Sequence, residues 1–521
     1  MVINMQEENT IYLDGETLSS SEVQMVAEGK ATVAISQDSW VKINAARSVV
    51  EGILERGETV YGINTGFGAL VKERISNDDL SNLQRNLIRS HATALGDLMS
   101  KELVRAMMVT RANSLAKGCS GAHPDVINQL LAFINNDICP AIPRIGSLGA
   151  SGDLAPLSHM ALSLIGEGEV LTDSGVGPTR DALLANGLIG INLRAKDGLS
   201  LINGTSQMLS LLVAAEQRLS QLIPLADVIM CTSLEARKGS IRPADERVHL
   251  ARPHVGQLTT ASRLRRIMKD SPILESHASC EQVQDAYSFR CAPQVHGAVL
   301  QRFMQLQDTL DVELNSATDN PLVFPDPANP GPHEVISQGN FHGEILALTA
   351  DSMSHAIFEL ASISERRIDQ ILDPARSNLP AFLARNSGLE SGLMIVQYVA
   401  GASLAELHGH AMPRSAFSTT TSAGQEDHVS MGATACWNLL LATERLSEVL
   451  ACELFVACEA LEFEDVQPAE HVRSLKQRVR AISPPLDGDR STSKELKTIA
   501  NQLWQGGWLA RIEAECGRLP R

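Results

Sequence analysis

Five long stretches of this chain carry apolar residues at three- and four-residue steps: Gln207 to Leu234, Val295 to Leu314, Glu344 to Leu372, Gly388 to Leu407 and Gly432 to Phe463. That period stacks side chains on one face of an α-helix, so the stretches predict long helices. The last is the most restrictive. Trp437, Leu440, Leu441, Leu446, Val449, Leu450, Leu454 and Ala457 leave little of its circumference polar. A helix that is apolar on most sides has to be covered on most sides, which predicts a bundle within or between subunits. Pro224 falls inside the first stretch and is expected to kink it, because it removes a backbone donor and crowds the preceding turn.

Upstream of about residue 200, short helical patterns alternate with glycine-rich turns, among them Gly62-Ile63-Asn64-Thr65-Gly66-Phe67-Gly68 and Gly146-Ser147-Leu148-Gly149-Ala150-Ser151-Gly152. The expected organisation is an N-terminal domain over residues 1–200 and a long-helix bundle with a C-terminal helical region over 201–521. The fold class is mainly α. Thr318-Asp319-Asn320-Pro321 reads as a helix stop followed by a turn.

Bulk properties narrow the function. The charge balance is 44 − 61 = −17, spread along the chain, so a nucleic acid would be repelled and small molecules or proteins are the expected partners. The first ten residues carry Glu7 and Glu8 without a basic start or apolar run, unlike a secretory signal. No run approaches the roughly 18 consecutive apolar residues of a membrane span. The nine cysteines are odd in number, scattered and never spaced Cys-x-x-Cys, which argues against a disulfide framework or a zinc ribbon and for a reducing cytoplasm. His408-Gly409-His410 puts its two histidines on different faces of a helix, so no metal is expected.

By itself Ala150-Ser151-Gly152-Asp153 is an ordinary polar turn. Its setting, Gly146-Ser147-Leu148-Gly149-Ala150-Ser151-Gly152-Asp153-Leu154-Ala155-Pro156-Leu157-Ser158-His159-Met160, closely resembles the signature of the aromatic amino acid ammonia-lyases and aminomutases. The resemblance runs from about Leu13 to about Glu462. It implies an ammonia-lyase-like fold assembled as a homotetramer with shared active sites, and a cofactor made by the chain itself. In that family the glycine amide attacks the alanine carbonyl, and loss of two waters leaves a methylidene-imidazolone (MIO) whose methylene comes from the serine. The residue types suit this chemistry: glycine offers the least hindered nitrogen, alanine adds no bulk, and serine has a β-hydroxyl to lose. Ala150, Ser151 and Gly152 are thus the expected cofactor-forming residues. The substrate problem explains the device, since an amino acid's β-hydrogen is weakly acidic and its amine leaves poorly.

The same resemblance assigns further roles. Tyr61, at the head of the first glycine-rich loop, matches the base that removes the β-proton. Asn203, in Leu201-Ile202-Asn203-Gly204-Thr205-Ser206, matches an asparagine that bonds substrate and reactive centre, although alone it reads as a helix N-cap. In Gln284-Asp285-Ala286-Tyr287-Ser288-Phe289-Arg290, Arg290 is expected to grip the substrate carboxylate with its planar fork of donors. Gln284 and Tyr287 would line the amine side, with Tyr287 assisting proton transfer. Phe341, in Gly339-Asn340-Phe341-His342-Gly343-Glu344, would lie against the MIO ring.

Substrate choice is read where the subfamilies differ. His91, after Ser90, would leave a polar ring unpartnered in a pocket built for a bare phenyl group. Glu426, in Gln425-Glu426-Asp427-His428-Val429-Ser430-Met431-Gly432, stands where phenylalanine and tyrosine enzymes commonly have glutamine, and a carboxylate suits an imidazole nitrogen. Glu344 follows the same pattern, and Met394, in Ser391-Gly392-Leu393-Met394-Ile395, matches the floor of an imidazole pocket. The expectation is a lyase turning L-histidine into trans-urocanate and ammonia. Ser206, Ala286, the stretch Met412 to Phe417 and the stretch Leu13 to Leu18 depart from the histidine pattern. They keep open a histidine 2,3-aminomutase, a tyrosine ammonia-lyase or aminomutase, and, outside catalysis, an inactive helical scaffold.

Overall fold

A computed structural model describes residues 9–65, 75–76, 79–277 and 283–521. Helices dominate them. The strands among the described residues form four two-stranded sheets, of which Thr10–Leu13 with Thr32–Ile35 is parallel and the other three are antiparallel.

The chain forms two compact units, each assembled from three stretches. The first comprises Met1–Ala214, Gln307–Ala350 and Arg414–Trp437. Its central helix, Lys101–Ala116, begins where Ser100 accepts a hydrogen bond from the Leu103 amide and is buried from Leu103 to Ala116. So complete a burial leaves the helix's own polar side chains, Arg111 and Asn113 among them, dependent on partners inside the protein.

The second unit comprises Ala215–Leu306, Asp351–Pro413 and Asn438–Arg521, and holds most of the long-helix sequence. The helices run Ser206–Ala236, Ala292–Glu313, Glu344–Leu372, Met394–His410 and Gly432–Ala460. Ser206–Ala236 is one continuous helix with Pro224 in its interior. It is long and apolar enough to cross a membrane, but 89% of its most apolar window is buried in the protein, as befits a core helix. Gly432–Ala460 is buried at every position from Val449 to Ala460, while Leu441 is 39% exposed. Leu450→Ala there would cost about 2–5 kcal/mol in lost transfer energy and cavity. The fourth helix starts later than its periodicity suggests: Leu393 donates its amide to the Phe382 carbonyl at 2.8 Å, and the Ser391 and Gly392 amides donate to Asp489 at 2.7 and 2.9 Å. Those amides are spent on a loop, so the helix begins at Met394.

Inside this unit Glu453 and Arg367 are fully buried and pair through two bonds of 2.5 and 2.9 Å. Ser233 and Ser364 donate to the same carboxylate at 2.7 and 2.5 Å, so one ion pair ties three helices. A buried pair of this kind adds little net stability but penalises any register that would part it. His408 meets Phe358 edge-on at 5.4 Å and His410 bonds Asn438 at 2.7 Å, which places the two histidines on separate partners.

Candidate active site

The candidate site lies in the first unit and is built around Ser147 to Asp153. Ser147 acts as the hub of a tight turn: its hydroxyl accepts from the Gly149 amide at 3.2 Å and lies 2.8 Å from Asp153 Oδ1 and 3.2 Å from the Gly152 carbonyl. Ala150 is buried against Leu148, Val429 and Met431. The Gly149 carbonyl accepts from the Gly343 amide and the Ser430 hydroxyl, each at 3.0 Å, and the Met431 amide donates to the Leu148 carbonyl at 2.8 Å.

Asp153 Oδ2 accepts from the Gln207 and Met208 amides at 2.8 and 3.1 Å, capping the Ser206–Ala236 helix. Burial pushes its carboxyl up to about 7, against the pull of those amides and of Ser147. Helices starting at Leu154, Ser206, Glu344 and Gly432 therefore all open beside this turn. Their N-terminal ends carry partial positive charge, a setting that favours electron withdrawal from whatever the turn holds.

A cavity of about 1180 Å³ opens over the turn, and Tyr61, His91, Ala150, Ser151, Asn203, Phe341 and Glu426 line it. Ser151 is its chemical centre. Asn203 Nδ2 donates to the Ser151 carbonyl at 2.7 Å, and the Ser151 hydroxyl donates to Glu426 Oε1 at 2.5 Å. Asn203 closes the short Asp197–Ile202 helix as its C-cap rather than serving as an N-cap. Its amide side chain is free for this task because Asp153 satisfies the next helix.

Thr421 donates to Glu426 Oε2 at 2.7 Å, so the two carboxylate oxygens are held apart on two hydroxyls. His91 Nδ1 lies 2.8 Å from the Leu87 carbonyl and 2.9 Å from the Ser90 hydroxyl. With the proton on Nδ1 facing that carbonyl, Nε2 is left as an acceptor. Burial lowers the His91 pKa, with the Leu87 contact and the Glu426 charge opposing it, which favours the neutral ring. Glu344 lies outside the cavity wall, with its Oε2 3.6 Å from His428 Nε2, and the His428 ring stacks on His342 at 5.8 Å.

The remaining expected site residues are elsewhere. Gln284, Tyr287, Arg290 and Met394 belong to the second unit and do not line the cavity. Arg290 bonds Gln284 and lies over the Tyr287 ring at 4.5 Å. Tyr287 is 70% exposed. Gly66, Phe67 and Gly68 of the loop after Tyr61 lie outside the described residues. Sequence reasoning missed Thr421 and Ser430, which act only through hydrogen bonds to Glu426 and Gly149, and it missed Asp153 as a cap because the capped helix starts 53 residues later.

Comparison with known proteins follows the same lines. A family model described as aromatic amino acid lyase matches residues 18–481. A histidine ammonia-lyase of Myxococcus xanthus is 42% identical over 505 residues, 97% of this chain and 98% of its own. Among solved structures, a histidine ammonia-lyase from Trypanosoma cruzi aligns with a TM-score of 0.89 at 37% identity, covering 97% of this chain and 95% of its own. A tyrosine aminomutase from Streptomyces globisporus aligns with a TM-score of 0.92 at 34% identity, covering 98% and 100%.

Proposed function

Since this chain belongs to the aromatic amino acid lyase family, we propose that it is an ammonia-lyase converting L-histidine to trans-urocanate and ammonia by β-elimination. The observation that carries the reading is the placement of Glu426 and His91, two polar partners for an imidazole, on one cavity with Ser151. Its full-length similarity to histidine ammonia-lyases supports the same substrate.

The residues present fit an MIO formed from Ala150, Ser151 and Gly152. Ala150 is buried and small, the Ser151 carbonyl already accepts from Asn203, and Gly152 has φ +72° with the Gly204 backbone so close that a Cβ would sit 2.2 Å from its carbonyl oxygen. Once formed, the group supplies an electrophilic methylene that turns the substrate amine into a better leaving group. The chain's side chains do the rest. Tyr61 takes the β-proton, His91 Nε2 and Glu426 orient the imidazole, Phe341 covers the ring, and Asn203 holds the reactive carbonyl.

Carboxylate binding falls to Arg290, with Gln284, Tyr287 and Met394 around the substrate, and we assign these to neighbouring chains of a homotetramer. The exposed apolar residues Ile345, Leu348, Ile395, Tyr398 and Val399 along the long helices supply surface for such an assembly. The described cysteines are free thiols.

The deciding experiment incubates purified protein separately with L-histidine, L-tyrosine and L-phenylalanine, following ammonia, the near-ultraviolet absorbance of the unsaturated acid, and β-amino acid by chromatography. Urocanate with stoichiometric ammonia is expected. β-Histidine with little ammonia would make it an aminomutase, and coumarate would overturn the substrate.

A further inference from the structure

Arg111 is fully buried on the Lys101–Ala116 helix, and its Nε and Nη1 have no hydrogen-bond partner. Its only bonded nitrogen, Nη2, donates to the Ser200 carbonyl. Burying a guanidinium with two nitrogens unsatisfied is costly, so its position calls for an explanation. A Cβ built on Gly204 would lie 2.2 Å from Arg111 Nη1 and 2.7 Å from Thr318 Oγ1, and a Cβ on Gly152 would lie 2.2, 2.5 and 2.6 Å from the Gly204 carbonyl oxygen, carbonyl carbon and nitrogen. The Asp153 amide donates to the Gly204 carbonyl at 2.7 Å. The three residues form a stack with no slack: guanidinium, glycine backbone, glycine backbone.

We infer that Arg111 is a positioning residue for cofactor formation, acting through Gly204 as a rigid backstop that keeps Gly152 pressed into the turn. This rests on the MIO reading above. In the step it serves, the Gly152 nitrogen bonds to the Ala150 carbonyl carbon, and the Ala150 oxygen leaves as water with the amide protons of Gly152 and Ser151. A second water takes the Ser151 hydroxyl and its Cα proton, leaving the exocyclic methylene. Ring closure forces an amide nitrogen onto a neighbouring carbonyl carbon at a cost in bond-angle strain. A backbone able to recoil would relieve that strain by opening the turn. Arg111 and Gly204 remove the space to recoil into.

The test is maturation, read by mass. Wild-type protein, Arg111→Lys and Arg111→Met are made in a cell-free system, and the peptide spanning Ala150 to Gly152 is weighed at intervals in the soluble, cooperatively melting fraction. Both variants are expected to lose their two waters at least about tenfold more slowly than wild type, equivalent to one decade in rate. Arg111→Lys keeps the charge but lacks the planar head beside Gly204, so its result decides the matter if Arg111→Met does not fold. Dehydration of Arg111→Lys at the wild-type rate would overturn the backstop while leaving the MIO reading intact. A wild-type peptide that never loses two waters would overturn that reading itself.

Discussion

The Ser151 hydroxyl donates a 2.5 Å hydrogen bond to Glu426 Oε1, and that hydroxyl is the group that the proposed MIO formation would remove. On the proposed function, the carboxylate that would read the imidazole is occupied until the cofactor forms, and would then gain a vacant acceptor oxygen facing the cavity. Thr421 keeps the other oxygen in place throughout.

Glu426→Gln exchanges that acceptor for a neutral amide. Loss of one partner in a buried polar contact costs about 1–3 kcal/mol, more when charged, so histidine turnover is expected to fall at least about tenfold. Steady-state urocanate formation checks this, and a gain of tyrosine activity in the same variant would strengthen the assignment. Unchanged histidine kinetics would remove Glu426 from the imidazole site.

Asn203→Ala deletes the donor 2.7 Å from the Ser151 carbonyl. A single donor aimed at a reacting oxygen is worth about 10²–10³ in kcat, and a loss of that size is expected. Peptide mass must show the two-water loss intact, so that the effect is separated from failed maturation.

The proposed sharing of sites between chains predicts complementation. Ser151→Ala alone and Arg290→Met alone should each be nearly inactive, whereas co-expressed chains should regain activity in mixed tetramers that pair an intact Ser151 with an intact Arg290. Inactivity of purified mixed tetramers would mean that both groups serve a site from the same chain.

Glu235 gives a pH prediction away from the chemistry. It is buried, accepts from Ser271 at 2.5 Å and from the Ala469 amide at 2.9 Å, and burial raises its carboxyl to about 7 from 4.5. Between those values the folded chain holds a proton that the unfolded chain has lost, so this group's contribution to stability is full below about pH 4.5 and is lost as pH rises through 7. In Glu235→Gln the fall in melting temperature across that window should become shallower. An identical pH profile would contradict the shifted carboxyl.

The helices were legible because their period is local: Glu344–Leu372 has the bounds its apolar steps suggest. The late start at Met394 was not, since it depends on Asp489, nearly a hundred residues downstream, taking the amides of Ser391 and Gly392. In the site, motif resemblance named Tyr61, His91, Asn203, Phe341 and Glu426, and the fold gathers them on one cavity. Thr421 and Asp153 escaped because a cap or a clamp is a relation between distant backbone and side-chain atoms, with no spacing of its own to read. Arg111 looked like any arginine on a helix; only its burial and the crowding at Gly204 single it out.

The turn at Ala150 to Gly152 is braced by parts of the chain that are synthesised far apart in time: Gly204 behind it, the Gly343 amide and the Ser430 hydroxyl on the Gly149 carbonyl. A nascent chain on the ribosome lacks the later braces, so on the proposed function it would carry an uncyclised tripeptide through the interval when stray amines and thiols could quench a reactive centre. Arming would then wait for completion, and a chain that folds badly would stay chemically harmless.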